Sequence, residues 1–438
     1  MSDAVDPHLT EPYGLRTRSC ATELTCRDCG YRTPLLDKAF KCPACGEGLD
    51  VDYDYELAKQ RIAERSTAER PWNVWRFEEL LPILNLKAKE RVAAFAGKTP
   101  LIHAERLGAE LGLSNLYLKD DSSNRPSFSY KDRVVGMAIA RLLELGKDEV
   151  GCVSTGNVGT AVAALAAQAG ARPYIFYPGN MEKGKAKACR ALGAEVIQLD
   201  ANYDQANRAC RELAVTTGME FANITLRPFY AEGAKTMAFE VVEELGWKAP
   251  DHFVIPAAGG TLSSRVHKGL VELEKVGLAE TAGAKINIAQ ASGCSPIVTA
   301  ISAGGAEIET QTPETLAHSL AIGAPGDGAL VVDAVVSRGG AGAAASDDEI
   351  FGAIDLLAST EGILTEPAGG TTIASTARLA QEGKIAPDET VVAIISGNGL
   401  KTLQEHPDKP WPEMVPCEVG AMEEMLNDFR QSAAAALR

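Results

Sequence analysis

Short apolar runs that alternate with helix-like segments are the feature that most limits how this chain can fold. From about residue 96 onward, each run rich in Val, Ile or Ala ends in a loop and gives way to a longer helical pattern. Apolar strands that alternate with helices favour a mostly parallel sheet covered on both faces, so the fold class is α/β. Strands are predicted at residues 115–121, 149–155, 172–179, 194–200, 251–260, 285–293 and 389–399.

Helices are predicted between these strands and at the end of the chain. The segments with helical patterns are residues 158–170, 231–247, 347–360 and 418–438. The last of these is amphipathic, and one face would carry Met422, Met425, Leu426 and Phe429. The Gly-rich stretch 323–344 is predicted to be a loop around a short strand.

Four cysteines near the N-terminus are spaced as metal ligands. Cys26 and Cys29 form one CxxC pair and Cys42 and Cys45 another, with twelve residues between the pairs and a glycine after each. This spacing predicts a tetrahedral, structural zinc ribbon with no open coordination position. A metal-free pair of knuckles is the alternative. The other six cysteines are scattered, as buried free thiols usually are.

Composition divides the chain into four parts. We predict a zinc ribbon over residues 1–50, a helical connector over 51–95, the main α/β region over 96–405 and a helical tail over 406–438.

Charge and hydropathy exclude some partners. The net charge of −16 argues against nucleic acid or an anionic membrane as the main partner. No apolar stretch approaches the roughly 18 residues of a membrane-spanning helix. The N-terminal residues are acidic and lack the apolar segment of a secretory signal, so a cytoplasmic location is expected.

The loop "SNRPSFSYKDR" (123–133) contains a lysine among aromatic residues, at the start of a predicted helix. A lysine that acts as a nucleophile needs a lowered pKa, which enclosure beside apolar groups can supply. For this motif alone, a solvated Lys131 is the simpler interpretation.

Three further loops follow predicted strands, where small-molecule sites of parallel sheets lie. The loops "STGNVGTA" (154–161) and "IPAAGGTLSS" (255–264) offer hydroxyls, small residues and helix N-termini that suit anions, although each could be only a capped turn. Neither contains a dinucleotide fingerprint or a Walker A lysine. In "IISGNGLK" (394–401), Ser396 could reach a ring heteroatom or cap the turn. An amine, two anion cradles and a hydroxyl together indicate a pyridoxal phosphate site with room for an anionic substrate.

The ordered set of motifs resembles the threonine synthases, which are pyridoxal-phosphate enzymes of fold type II. The matching segments are "KTPLIHAERLG", "RPSFSYKDRVV", "STGNVGTAVAA", "LRPFYAEGAKTMAFEV", "QASGCSPIV", "TEPAGGTTIAS" and "ISGNGLK". The resemblance covers most of the chain, from the ribbon onward. It implies two mostly parallel α/β subdomains after the ribbon, the smaller inserted at about 132–235, and assembly as a homodimer.

The resemblance also implies a role for individual residues. Lys131 would hold the cofactor as a Schiff base and move protons, Asn157 would bind the cofactor's ring oxygen, and Ser396 would face the ring nitrogen. The cofactor phosphate would be bound by Gly259, Gly260, Thr261 and Leu262. The substrate's carboxylate or phosphate would be bound by Ser154, Thr155, Thr160, Lys119 and Arg227. For Lys119 and Arg227, surface ion pairing is the alternative.

The sequence departs from the family pattern in two motifs. Arg125 stands where the family has asparagine, and Tyr130 replaces the usual phenylalanine. In the second motif, Arg227 occupies the family's asparagine position and Tyr230 its arginine position. Arg227 would then supply the charge that the arginine normally provides.

The implied activity is conversion of O-phospho-L-homoserine and water to L-threonine and phosphate. A phosphoserine-dependent relative such as a cysteate synthase stays open, because its substrate differs by one methylene. A threonine dehydratase also stays open, as does a catalytically silent protein that binds partners through its zinc ribbon.

Overall fold

The computed structural model describes residues 17–403 except 38, 155, 180–182 and 306, together with 406–407, 414 and 416–436. At residues 183, 204 and 432–436 only the backbone is described. The chain divides into two compact units, the first ending at Leu403 and the second beginning at Gln404.

The described strands carry the labels used below. They are β1 (Ala21–Cys26), β2 (Arg32–Pro34), β3 (Leu49–Tyr53), β4 (Leu101–His103), β5 (Asn115–Asp120), β6 (Glu149–Val153), β7 (Arg172–Pro178), β8 (Glu195–Leu199), β9 (Glu220–Phe221), β10 (His252–Pro256), β11 (Lys285–Ala291), β12 (Gly342–Ala345) and β13 (Thr390–Ile395).

The described helices are labelled in the same way. They are α1 (Tyr55–Ala63), α2 (Leu86–Glu90), α3 (Glu105–Leu111), α4 (Lys131–Glu144), α5 (Asn157–Ala169), α6 (Lys183–Ala191), α7 (Tyr203–Thr217), α8 (Arg227–Glu232), α9 (Thr236–Glu244), α10 (Thr261–Lys275), α11 (Pro296–Ser302), α12 (Gly328–Ser337), α13 (Asp347–Glu361), α14 (Pro367–Gln381) and α15 (Val419–Ala436).

A small antiparallel sheet forms the N-terminal part of the described chain, and Cys26 is the last residue of its strand β1. Its strand order is β2-β1-β3, and Leu24, Leu49 and Val51 are buried on its inner face. Phe229 of α8 belongs to the same apolar cluster. The ribbon therefore shares its core with the α/β part of the chain.

A six-stranded sheet forms the larger α/β layer, in the order β12-β11-β10-β13-β5-β4. All its neighbouring strands are parallel except the β4–β5 pair. The central strands β10 and β13 are almost entirely buried, because parallel strands covered on both faces need nearly continuous apolar runs. The predicted α/β class is confirmed.

A second, four-stranded parallel sheet has the order β8-β7-β6-β9. In the chain it lies between β5 and β10 of the larger sheet, with α4 to α7 among its connections. Two parallel sheets agree with the fold that the resemblance implied. The predicted limits of the four parts and of the inserted subdomain stay a prediction.

The Gly-rich stretch 323–344 is not a loop around a strand, so that prediction is wrong. Residues 328–337 form α12, and a short strand, β12, follows. Val331 and Val335 are buried at a helical spacing of four, whereas Asp333 and Val336 are exposed. The run of β-branched residues hid this helical period.

Two other predictions concern the segments that flank the α/β region. Residues 51–95 contain α1, α2 and two short 3₁₀ turns, with turns and bends between them. The predicted C-terminal helix is confirmed as α15. Within the described residues, no helix is long and apolar enough to cross a bilayer.

Candidate active site

The loops that follow four parallel strands open into one cavity of about 550 Å³. Lys131 follows β5, Ser154 follows β6, Gly259 follows β10 and Ser396 follows β13. β5, β10 and β13 belong to the larger sheet and β6 to the smaller one, and loops at the carboxyl ends of parallel strands commonly form ligand sites. The volume suits a cofactor together with a small substrate.

Lys131 begins α4 and is held in the cavity by its neighbours. The Tyr130 backbone N–H donates to the Ser396 carbonyl at 2.9 Å, and Ser129 pairs with Gly397 as an isolated bridge. The loop before α4 is thus fastened to the loop after β13. The Lys131 amine donates to the Tyr130 hydroxyl and lies 4.0 Å from the centre of that ring.

Asn157 is held by two charged side chains. Its Nδ2 donates to both carboxylate oxygens of Glu366, at 2.9 and 2.8 Å. Its Oδ1 accepts from Lys401 Nζ at 2.7 Å. These bonds fix the amide at the cavity wall, where Glu366 also lies. The role of Glu366 could not be read from the sequence, although it stands in the quoted segment "TEPAGG".

The predicted phosphate cradle lies at the start of α10. Gly260 precedes the helix with a φ of +92°, and no described side chain caps it. A Cβ at Gly260 would lie 2.9 Å from Val331 Cγ2, so the position requires glycine. The first-turn N–H groups of an uncapped 15-residue helix offer donors to an anion. Gly259, Gly260, Thr261 and Leu262 all line the cavity.

Ser154 lines the cavity and also shapes the loop behind it. Its Oγ accepts from the backbone N–H groups of Gly156 and Gly159, each at 3.0 Å. Thr160 is buried and donates to the Gly156 carbonyl at 3.4 Å, but it does not line the cavity. Thr155 lies outside the described residues.

Lys119 does not reach the cavity, which corrects its assignment to the substrate. Its fully buried Nζ donates to the Thr99 carbonyl at 2.7 Å and pairs with Glu244 at 2.5 Å and Glu240 at 2.9 Å. Burial would raise the pKa of Glu240, but Arg133 and Lys119 outweigh it and lower that pKa to about 2. Lys119 thus neutralises buried carboxylates.

Cationic side chains also line the cavity. They are Arg227 of α8, Lys185 of α6, and Arg208 and Arg211 of α7, and they are together called the cationic wall below. Arg208 and Arg211 are exposed and one helical turn apart. Sequence reasoning missed Lys185, Arg208 and Arg211 because they lie in helices outside every motif, and only the fold brings them into the cavity that Lys131 also lines.

Of the residues that depart from the family pattern, Arg125 lies outside the cavity and Tyr230 lines it. Arg125 is exposed and does not line the cavity. The buried amide beside it is Asn124, which donates to the Ser129 carbonyl at 3.1 Å and accepts from the Gly97 N–H at 2.9 Å. Tyr230, at the family's arginine position, is buried and lines the cavity, and burial raises its pKa well above the usual value.

The four N-terminal cysteines are close enough to bind one metal ion. All four Sγ atoms lie within 4.8 Å of one another, with Cys26 and Cys45 at 3.4 Å and Cys29 and Cys42 at 3.5 Å. Four thiolates at about 2.3 Å from a tetrahedral zinc ion lie roughly 3.8 Å apart, so the cluster fits zinc.

Comparison with known proteins agrees with this architecture. The family described as "Pyridoxal-phosphate dependent enzyme" matches residues 92–397. The threonine synthase of Methanocaldococcus jannaschii is 35% identical over 92% of this chain and 99% of that protein. The threonine synthase of Methanosarcina acetivorans is 34% identical over 92% and 98%, and that of Mycobacterium tuberculosis 35% over 76% and 91%.

Solved structures show the same fold at lower identity. Threonine deaminase isoform 2 from Solanum lycopersicum matches with a TM-score of 0.60 and 23% identity, covering 72% of this chain and 83% of that one. Diaminopropionate ammonia lyase from Escherichia coli matches with a TM-score of 0.62 and 20% identity, covering 73% and 89%.

The fold and the cavity around Lys131 therefore define a pyridoxal phosphate-dependent enzyme of fold type II. Because threonine synthases are 34–35% identical to it over nearly their whole length, the chain belongs to the threonine synthase family.

Proposed function

We propose that this lyase converts O-phospho-L-homoserine and water to L-threonine and phosphate. The observation that carries the proposal is one cavity that combines the Lys131 amine, a glycine cradle and a cationic wall. The cradle at the start of α10 suits the phosphate of pyridoxal phosphate. The wall with Arg208, Arg211 and Arg227 suits a second anion, which a phosphorylated substrate brings.

Pyridoxal phosphate supplies a ring that takes up the negative charge developing at the substrate's Cα. Lys131 Nζ would hold the cofactor at rest and, once replaced by the substrate amine, accept the Cα proton and carry protons at Cβ and Cγ. In the net reaction the Cγ–O bond breaks and phosphate leaves. Cβ loses one proton and gains the hydroxyl of water, Cγ gains one proton in place of the phosphate oxygen, and the second proton of the water molecule leaves with the phosphate.

Other cavity residues would orient the reactants. Asn157, held by Glu366 and Lys401, would bind the cofactor's ring oxygen. Ser396 would present a neutral hydroxyl to the ring nitrogen. We assign the loop at Ser154, with the N-terminus of α5, to the substrate's carboxylate.

Product analysis tests the reaction and separates it from its relatives. The purified enzyme is incubated separately with O-phosphohomoserine, threonine, and phosphoserine with and without sulfite. We expect threonine and phosphate in equal amounts from O-phosphohomoserine alone. Cysteate from phosphoserine and sulfite would identify a cysteate synthase, and ammonia from threonine a dehydratase.

A Lys131→Ala variant separates the enzyme from a silent binding protein. Loss of the amine should abolish threonine formation and the visible absorption of lysine-bound cofactor. A folded variant that keeps this absorption would contradict the role of Lys131.

We also propose that Cys26, Cys29, Cys42 and Cys45 bind a structural zinc ion. Their clustered Sγ atoms support this, and no coordination position would remain for catalysis. Metal analysis of the purified protein should give one zinc per chain, and Cys29→Ser should lose it.

The remaining expectations concern assembly and location. We propose a homodimer, the commonest assembly among soluble oligomers, and light scattering of the purified enzyme would measure it. We propose a cytoplasmic location, which the ten cysteines support because none of them forms a disulfide and reducing compartments keep thiols reduced.

A further inference from the structure

Asp327 connects Arg27 of the ribbon to Arg227 and Thr261, which line the part of the cavity that we call its anion-binding side. We propose that Asp327 is a positioning residue for this side, and that Arg27 of the ribbon, by sharing Asp327 with Arg227, sets how much of the Arg227 charge is available to a phosphoryl group. The inference rests on the proposed function for the identity of the phosphoryl group.

Both oxygens of the Asp327 side chain are occupied. Oδ1 accepts from Arg27 Nη1 at 2.7 Å. Oδ2 accepts from Arg227 Nη2 at 2.5 Å and from Thr261 Oγ1 at 2.8 Å. Asp327 is 2% exposed. Burial would raise its pKa, but Arg227, Arg27 and Arg265 together hold it below the usual value. A single buried carboxylate therefore serves two guanidinium groups.

Asp327 also supports the glycine cradle through its backbone. Its N–H donates to the Gly259 carbonyl at 2.9 Å. The position of a Cβ on Gly260 lies 3.1 Å from the Asp327 carbonyl carbon. Arg227 Nη2 also donates to Thr261 Oγ1 at 3.1 Å. Asp327 therefore contacts both the glycine cradle and Arg227 of the cationic wall.

Arg27 is held in place by the ribbon. It lies between the cysteines of the first CxxC pair, and its N–H donates to the Gly48 carbonyl at 3.2 Å. Its Nε donates to Asp50 Oδ1 at 3.0 Å, and Arg265 pairs with the same oxygen at 2.5 Å. A Cβ at Gly48 would lie 3.2 Å from the guanidinium carbon. The folded ribbon thus leaves the Arg27 side chain little freedom.

Charge balance gives the expected direction. Without Arg27, the buried Asp327 would have to be neutralised by Arg227 to a greater degree, since an unpaired buried carboxylate is costly. Arg227 would then be less available to an anion, and the cavity would also lose one nearby positive charge. Neutralising Asp327 instead would release Arg227 and remove a negative charge. Loss of Arg27 should therefore weaken anion binding, and loss of the Asp327 charge should strengthen it.

The test measures binding of inorganic phosphate to the cofactor-loaded holoenzyme, in which the cofactor's own phosphate site is filled. We expect Arg27→Ala to weaken phosphate binding about tenfold, the effect of one partly screened charge, and to raise KM with little change in kcat. Arg27→Lys should restore part of the affinity. Arg32→Ala is the matched control, because Arg32 lies in the same ribbon and, among the described residues, its side chain pairs only with Glu23, at 3.1 Å.

Asp327→Asn is the second variant and should tighten phosphate binding several-fold, opposite in sign to Arg27→Ala. Equal weakening by both variants would reveal a scaffolding role only and would overturn the inference, as would unchanged binding in a folded, zinc-loaded Arg27→Ala. If Arg27→Ala does not fold, the sign of the Asp327→Asn effect decides. Phosphate binding does not require turnover, so failure of the proposed reaction would be seen separately as the absence of threonine.

Discussion

Lys119 and Lys131 stand at the two ends of one loop, yet only Lys131 reaches the cavity. The Lys119 amine is enclosed by the Thr99 carbonyl and the carboxylates of Glu240 and Glu244. The Lys131 amine instead meets a phenol at the cavity wall. Carboxylates contributed by α9, which is distant in the sequence, decide the difference. The sequence could therefore identify both lysines but could not tell which one is used for charge neutralisation.

The Tyr130 hydroxyl contacts the Lys131 amine, so its removal should affect catalysis. We expect Tyr130→Phe, which restores the usual family residue, to fold and bind cofactor. Losing one hydrogen bond at the reacting amine should lower kcat about fivefold and leave KM nearly unchanged. Steady-state kinetics would measure this, and a change confined to KM would place the hydroxyl in substrate binding instead.

Asp132 predicts a pH dependence of stability. Burial raises the pKa of its carboxyl from 3.8 to about 7, despite hydrogen bonds from Ser127 and the charge of Lys401. Because the folded pKa lies above the unfolded one, the favourable contribution of the neutral acid is complete below pH 3.8 and is lost as pH rises through 7.

An Asp132→Asn variant stays neutral at every pH. Relative to the wild type, its free energy of unfolding should rise by up to roughly 3 kcal/mol between about pH 5 and about pH 8. Denaturant unfolding of both proteins would measure the difference. Asp148→Asn is the control, since the Asp148 side chain is 78% exposed. A difference that does not vary with pH would show that Asp132 ionises normally.

At the scale of elements, strands were easier to predict than helices. All seven predicted strands exist. Most of them are largely buried, and such strands must be apolar runs that loops with small or polar residues end, whereas β8 has no buried residue. The valines of α12 produced the one wrong assignment, since a short buried helix rich in β-branched residues looks like a strand. The motif loops predicted the cavity, but Lys185, Arg208 and Arg211 of its cationic wall lie in α6 and α7, whose sequences carry no local sign of a site.

At the start of α10, two adjacent glycines should respond differently to substitution by alanine. Gly260 has a φ of +92°, so Gly260→Ala should lower the free energy of unfolding by about 1–2 kcal/mol. A Cβ on Gly259 meets no atom within 4 Å, so Gly259→Ala should fold normally. Its methyl group would still enter the cavity beside the first turn of α10.

We therefore expect Gly259→Ala to weaken binding of pyridoxal phosphate without changing stability. Cofactor titration followed by absorbance, together with denaturant unfolding, would separate the two effects. Wild-type cofactor affinity in Gly259→Ala would place the phosphate elsewhere than this cradle.

At the scale of the whole molecule, the ribbon is part of the first unit's core and of its charge network. Phe229 of α8 packs with the ribbon's apolar residues. The Tyr53 hydroxyl donates to Glu232 at 2.8 Å, and Asp50 pairs with Arg265 of α10. The helices that meet the ribbon, α8 and α10, also begin with cavity residues, Arg227 and Thr261. We therefore expect a change in the ribbon to alter the cavity.

The last prediction is that removal of zinc lowers the stability of the protein. The three strands of the ribbon are only three to six residues long, too short for an independent core, so their stability should depend on the metal. We expect a chelator, or Cys29→Ser, to lower Tm by more than about 5 °C. Cys417→Ser is the matched control, since Cys417 is an exposed cysteine outside the cluster. If Arg27 depends on the ribbon for its position, zinc-free holoenzyme should also bind inorganic phosphate more weakly, as Arg27→Ala does. A zinc-free protein with wild-type Tm would show that the packing around Phe229 and Tyr53 alone holds the ribbon.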